Sequence, residues 1–193
     1  EIIKGPSSAL YGSDGIGGVV QLFTRDPASY VKGGKTFGGE VGVGYEGESN
    51  ARRVGATLAG QAGPALQWLV SGSFARAHAL ENRGDNFSAS PLRTAPDPER
   101  GRDQALLGKL VWTPNAWQKH VFTGEYVDKT TKLDLLSQYG AVSRGVTTTS
   151  ARGATDNGRH RLSWQGRFDL GASWVDTVRT TLMANLAANQ PLV

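Results

Sequence analysis

From Glu40 to about Ala188 apolar and polar residues alternate with a period of two. A chain patterned this way can gather its apolar set only on one face of a β-sheet, because successive strand residues point to opposite faces. In Glu40 to Tyr45 the apolar set is Val41, Val43 and Tyr45, and in Arg53 to Leu58 it is Val54, Ala56 and Leu58. Leu66 to Arg76 places Leu66, Trp68, Val70, Gly72 and Phe74 in phase. A fourth stretch, about Asp103 to Thr113, carries Leu106, Leu110 and Trp112, and a fifth, about Gln118 to Lys129, carries Phe122 and Tyr126. The sixth, from Arg159, sets His160, Leu162, Trp164 and Phe168 against Arg161, Ser163, Gln165 and Arg167. The seventh, Ser173 to about Ala188, has Trp174, Val178, Leu182 and Leu186 in phase, with Asp176 as the poor fit.

The connections have a rhythm of their own. Short links at Gly47 to Asn50, Ala62 to Ala65, Pro114 to Trp117 and Leu170 to Ala172 contrast with long polar ones at His78 to Arg102 and Thr130 to Gly158. After the first hairpin, long and short alternate. An up-and-down transmembrane barrel has this pattern, with short turns on one side of the membrane and long loops on the other, and strands of about 10 residues cross its apolar band. Trp68, Trp112 and Trp174 fall beside predicted short turns, where an interfacial aromatic girdle belongs. The predicted fold is therefore all-β: an antiparallel meander of about seven strands, forming part of such a barrel.

Composition removes other classes. No apolar run approaches the roughly 20 residues of a spanning helix. The chain has no cysteine, which excludes thiolate metal sites. Its 21 basic and 17 acidic residues are interspersed, without the basic run of a nucleic-acid arm. No serine, histidine and acid grouping or paired carboxylates suggest catalysis, so neither a catalytic nor a metal site is expected. There is no signal-like segment at Glu1, and both ends read as cuts through a longer protein.

Residues 1–27 differ from the rest. Gly5-Pro6, Gly12, Gly15, Gly17 and Gly18 surround short apolar pieces, and Val19 to Thr24 has strand character ended by Asp26-Pro27. On their own these glycines suit a compact turn-and-strand packing device. A phosphate cradle is the weaker reading, because no Lys-Ser or Lys-Thr follows Gly18 and no βαβ unit surrounds it. The ordered run Lys4-Gly5-Pro6-Ser7-Ser8-Ala9-Leu10-Tyr11-Gly12-Ser13-Asp14-Gly15-Ile16-Gly17-Gly18-Val19-Val20, with Leu22 to Pro27 after it, resembles the closing segment of the plug domain of TonB-dependent outer-membrane receptors. The resemblance implies a division into plug end (1–27), linker (28–35) and N-terminal barrel (36–193). It gives Gly5, Pro6, Tyr11, Gly12, Gly15, Gly17 and Gly18 a structural or gating role inside the barrel lumen.

The same resemblance implies a Gram-negative outer-membrane protein, embedded in lipid, that moves a metal chelate into the periplasm using the inner-membrane TonB complex, contacted through a region outside this chain. The polar linker and glycine-rich first strand, with Glu81 to Asn86, Arg93 to Pro98 and Leu107 to Trp112, are similar to the haem and haemoglobin branch. Haem is then the expected cargo and no covalent cofactor is implied; a ferric siderophore or cobalamin is the alternative.

Haem iron takes an axial histidine or tyrosine. Of the three histidines, His78 stands where the third strand should emerge at the cell surface. With Arg76 it forms the candidate ligand contact, against the plainer reading of an ordinary loop residue. Arg52, Arg53, Arg76, Arg161 and Arg167 are expected to line the lumen, where they would attract anionic ligands, although polar residues occupy the inward phase of any such barrel. Seven strands are too few to close it. The expected structure is a curved open sheet with the plug remnant on its concave side. The rivals are a secreted all-β adhesin or carbohydrate-binding module, and a simple porin, which has no plug.

Overall fold

A computed structural model describes the backbone of residues 2–4, 18–20 and 24–192, and the side chains of 24–188. Two short strands, β1 (Ile2–Lys4) and β2 (Gly18–Val20), pair antiparallel. A 3-10 turn at Pro27–Ser29 leads into the main sheet. Its strands are β3 (Phe37–Glu46), β4 (Ala51–Ala62), β5 (Leu66–His78), β6 (Glu99–Asn115) and β7 (Gln118–Asp134). A small hairpin of β8 (Val142–Ser143) and β9 (Val146–Thr147) lies in the loop before β10 (Arg152–Ala172) and β11 (Val175–Leu192). The seven long strands follow in sequence order as an antiparallel meander, as the alternation predicts.

The register aligns the outward residues into rungs across the sheet. Counting from the short-turn end, the first holds Leu66, Trp112, His120 and Gly166, and the second Phe37, Gly60, Trp68, Leu110, Phe122, Trp164 and Leu182. The third holds Leu58, Val70, Gly108, Gly124 and Leu162, the fourth Val41, Leu106, Tyr126, His160 and Leu186, and the fifth Val43, Val54, Phe74, Gln104 and Asp128. In the sixth rung the character changes abruptly to Tyr45, Arg52, Arg76, Arg102, Thr130 and Asp156. All five tryptophans lie at the short-turn end, Trp68, Trp112 and Trp164 in the first two rungs and Trp117 and Trp174 in the turns themselves.

This apolar face is bare: Val43 is 83% and Leu186 73% exposed. The small core lies on the opposite, more polar face, where Ala59, Leu69, Lys109 and Val111 are buried together with Pro27. A sandwich domain would do the reverse, burying its apolar face against a second sheet. Gly60 is needed for packing on the outer face, since a Cβ there would come within 2.7 Å of the Trp68 ring.

The strands outrun their predicted limits. β6, β7 and β10 reach 17, 17 and 21 residues, so the long connections shrink to 79–98 and 135–151. The last turn also moves. Gly171, with φ of 59°, bulges the end of β10, and Ser173-Trp174 forms the connection in place of Leu170 to Ala172, which removes Trp174 from the strand.

Candidate functional site

The polar face carries an open hollow of about 1190 Å³ that runs from β5 to β11 and is bounded at one end by Thr24 and Asp26. Among the described residues its lining has six cations, Lys109, Lys119, Arg159, Arg161, Arg167 and Arg179, against two acids, Asp26 and Glu125. Hydroxyls of Ser71, Ser73, Thr123 and Ser163 fill much of the remaining wall. Glu125 is nearly buried, bonded to Arg161 and 3.7 Å from Arg159, and Arg167 pairs with Asp169 at 2.9 Å, so that among the described residues Lys119 and Arg179 are the lining cations without an acid within 4.0 Å. A recess with one dominant sign of charge draws ligands of the other.

Lys109 ties the N-terminal segment to this wall. Its ammonium donates to the Thr24 carbonyl at 3.0 Å and to the Asp26 carboxylate at 2.9 Å, and the lysine is itself 8% exposed. Nearby, Arg25 donates to the Tyr30 hydroxyl and to Glu40 of β3 at 2.9 Å. Those two partners raise its already high pKa and fix the guanidinium as a cation. Residues 24–30 are thereby held against the polar face by charge as well as by buried Pro27.

The expected arginine set divides. Arg53, Arg161 and Arg167 share the polar face, but Arg52 and Arg76 pair with each other on the opposite, outer face. Neighbouring strand residues alternate in direction, so Arg52 and Arg53 cannot both face the lumen. His78 ends β5 at the loop side, as expected, yet shares the outer phase of Phe74 and Arg76 and pairs with Arg100. His120 and His160 are outward too. His120 packs among Trp112, Trp164 and Phe168, and His160 against Tyr126. No histidine reaches the cationic hollow, and among the described residues no three His, Cys, Asp or Glu side chains converge on a metal position.

The two loop tracts singled out from sequence fold onto each other. The backbone N–H groups of Asp85 and Asn86 donate to the Thr94 hydroxyl, at 3.1 and 2.9 Å, and those of Thr94 and Ala95 donate back to the Asn86 carbonyl. A Cβ at Gly84 would sit 1.9 Å from the Thr94 carbonyl oxygen, so only glycine fits there. Asp97 accepts from the backbone N–H and hydroxyl of Ser137, at 2.9 and 2.5 Å, joining the two long loops. Glu81 to Asn86 and Arg93 to Pro98 thus build the loop scaffold. Of the glycine-rich N-terminal motif, Gly5, Pro6, Tyr11, Gly12, Gly15 and Gly17 lie outside the described residues, and Gly18 opens β2.

Sequence reasoning missed Lys109, Glu125, Arg159 and Arg179. Their one signal was a position on the inward phase, which Lys109 betrays by standing between Gly108 and Leu110 of the apolar set.

Comparison with known proteins gives weak, partial similarity to TonB-dependent receptors for iron chelates. The chain is 30% identical over 115 residues to the ferric enterobactin receptor PirA of Pseudomonas aeruginosa, which is 58% of this chain and 15% of that receptor. It is 42% identical over 50 residues to the heme/hemopexin utilization protein C of Haemophilus influenzae, 26% of this chain and 7% of that protein. The chain therefore spans well under a fifth of these relatives. No family model matches.

Proposed function

We propose that this chain is the end of the plug and the first strands of the barrel of a TonB-dependent receptor, which carries an anionic iron chelate across the outer membrane into the periplasm. The observation that carries the reading is the pairing of a bare apolar face, belted by tryptophan at its short-turn end, with an opposite face that is polar and cationic. The first face suits lipid, the second an aqueous path for negative ligands. Energy would come from the inner-membrane TonB complex through a segment of the intact protein outside this chain. The N-terminal glycine motif would belong to the plug that gates the path.

Haem, free or taken from haemoglobin, is the first cargo we propose, on the resemblance of the loop tracts and on the similarity to the heme/hemopexin utilization protein. The longer match to PirA favours a ferric siderophore as the second. Titration of the intact protein in detergent, followed by Soret absorbance beside a ferric siderophore control, separates the two. Saturable haem binding is expected. Because Lys119 and Arg167 face the hollow from β7 and β10, replacing both with Gln should weaken it several-fold, most at low salt. His78→Ala should leave it intact, since that side chain points outward; a lost axial ligand would instead change the Soret band and return His78 to the site. Siderophore binding without haem binding would overturn the haem assignment and leave the receptor reading standing.

A further inference from the structure

On β4 and β5 the outer face changes from apolar, Val54 and Phe74, to cationic, Arg52 and Arg76, within one rung. Arg52, Arg76 and Arg102 stand directly opposite one another on β4, β5 and β6, with Arg100 one rung beyond. Adjacent strands are about 4.8 Å apart, so three guanidinium groups arise from backbone positions spanning roughly 10 Å. Like charges facing across a ladder repel. Arg102 is 3.7 Å from Asp128, but among the described residues Arg52 and Arg76 have no acidic partner within 4.0 Å. Arg76 also lies over the Phe74 ring, 5.2 Å from its centroid, which anchors it at the rim of the apolar band. Such a row is held most easily by a multivalent anion.

Six residues down β6 from Arg102, on the same face, is Gly108, and Gly124 pairs with it on β7. The two glycines floor an open hollow of about 710 Å³ walled by Val70, Leu110, Phe122, Leu162, Trp164 and Leu182. The hollow lies roughly 20 Å along the strand from the arginine row, within the apolar band.

We propose that this outer face binds one bilayer lipid with an anionic phosphate headgroup, the phosphate on Arg52, Arg76 and Arg102 and an acyl chain in the hollow over Gly108 and Gly124. The inference rests on the membrane reading above, and charge complementarity selects the occupant. All five of these positions are on strands paired at both edges, and of the named hollow walls Leu182 alone comes from a rim strand, β11.

The test uses the intact protein, first floated with pure phosphatidylcholine vesicles and then purified in mild detergent. Native mass spectrometry compares retained phosphatidic acid with phosphatidylcholine of the same chains, with inorganic phosphate as competitor. Wild type should keep phosphatidic acid at least tenfold better than phosphatidylcholine. The triple variant R52Q/R76Q/R102Q should lose that preference. Gly108→Leu, whose added Cβ meets nothing within 4 Å, should fold normally and retain less of the lipid. Equal retention by the arginine variant would overturn the headgroup site, and unchanged retention by Gly108→Leu would overturn the chain site. Displacement by inorganic phosphate at equal concentration would reduce the row to a simple anion site. Failure of wild type to float with vesicles would sink the membrane reading itself, and this proposal with it.

Discussion

Replacing Leu162 with arginine should destabilise the protein in a bilayer and leave its stability in water unchanged. Leu162 lies in the third of five apolar rungs, with Trp164 and Gly166 on the turn side and His160 and Gly158 on the loop side. Each rung advances two residues, about 6.6 Å along the strand. At a barrel tilt near 40° that becomes about 5 Å of depth, so five rungs cover about 20 Å centre to centre and about 25 Å with half a rung at each end, the height of an outer-membrane apolar band. Leu162 then sits at the midplane, where an arginine costs about 2–4 kcal/mol. Thr130, in the sixth rung, sits at the interface, and Thr130→Arg should cost about 0–1 kcal/mol. In a soluble protein, Leu162, already 68% exposed, would accept arginine within about 0.5 kcal/mol. The assay is reversible guanidinium unfolding of the intact protein from phosphatidylcholine vesicles, followed by tryptophan fluorescence. If Leu162→Arg and Thr130→Arg both fall within about 0.5 kcal/mol of wild type, the apolar face does not meet lipid and the depth argument fails.

Lys109→Met keeps the aliphatic stem but removes two charge-assisted hydrogen bonds to residues 24–26. Because Asp26 is largely exposed, the loss should be only about 1–2 kcal/mol, seen as amide exchange roughly 5- to 30-fold faster at Ser29 and Tyr30 with the β5–β6 ladder unchanged; unaltered exchange at those two amides would refute the tether. Gly84→Val should break the Asn86–Thr94 clasp, whose hydrogen bonds contribute about 1 kcal/mol each, and open residues 79–98 to limited proteolysis while the sheet survives; an unchanged cleavage pattern would show that the clasp is not needed.

What the sequence made legible was the band. There an apolar outer set meets a largely polar inner one, and the resulting period of two places seven strands, three short turns and the girdle positions of Trp68 and Trp112. Beyond the band both faces of the ladder are wet. Thr130, Thr131 and Lys132 continue β7 by backbone pairing alone, and no hydrophobic alternation marks them, so they read as loop. The bulge at Gly171 is invisible for a similar reason: it is a backbone event, and the apolar phase on either side of it survives a shift of the turn. The arginine error was different. Arg52 and Arg53 were grouped by charge, although strand geometry forces them apart and the phase of Val54, Ala56 and Leu58 already turns Arg52 outward; what the register adds is that it stands opposite Arg76, and Arg76 opposite Arg102. Lys109 needed the tertiary structure, since its partners are more than eighty residues away.

The two rims of the sheet bear on every one of these expectations. Among the described residues β3 pairs only with β4 and β11 only with β10, which leaves one row of backbone N–H and C=O groups open on each. In hydrocarbon each unpaired group costs several kcal/mol, more than one exposed leucine returns by entering lipid. The rims also carry the barest strand residues of the apolar face, Val41 and Val43 on β3 and Leu186 on β11. Exposed rims with apolar outer residues invite pairing with a further strand on each side, and on the membrane reading proposed above hydrocarbon would offer their backbone groups no other partner. The band, the arginine row and the cationic hollow therefore acquire their functional meaning in a sheet paired on both rims. Substitutions on β4 to β10 test that chemistry, whereas those on β3 and β11 would mix it with closure.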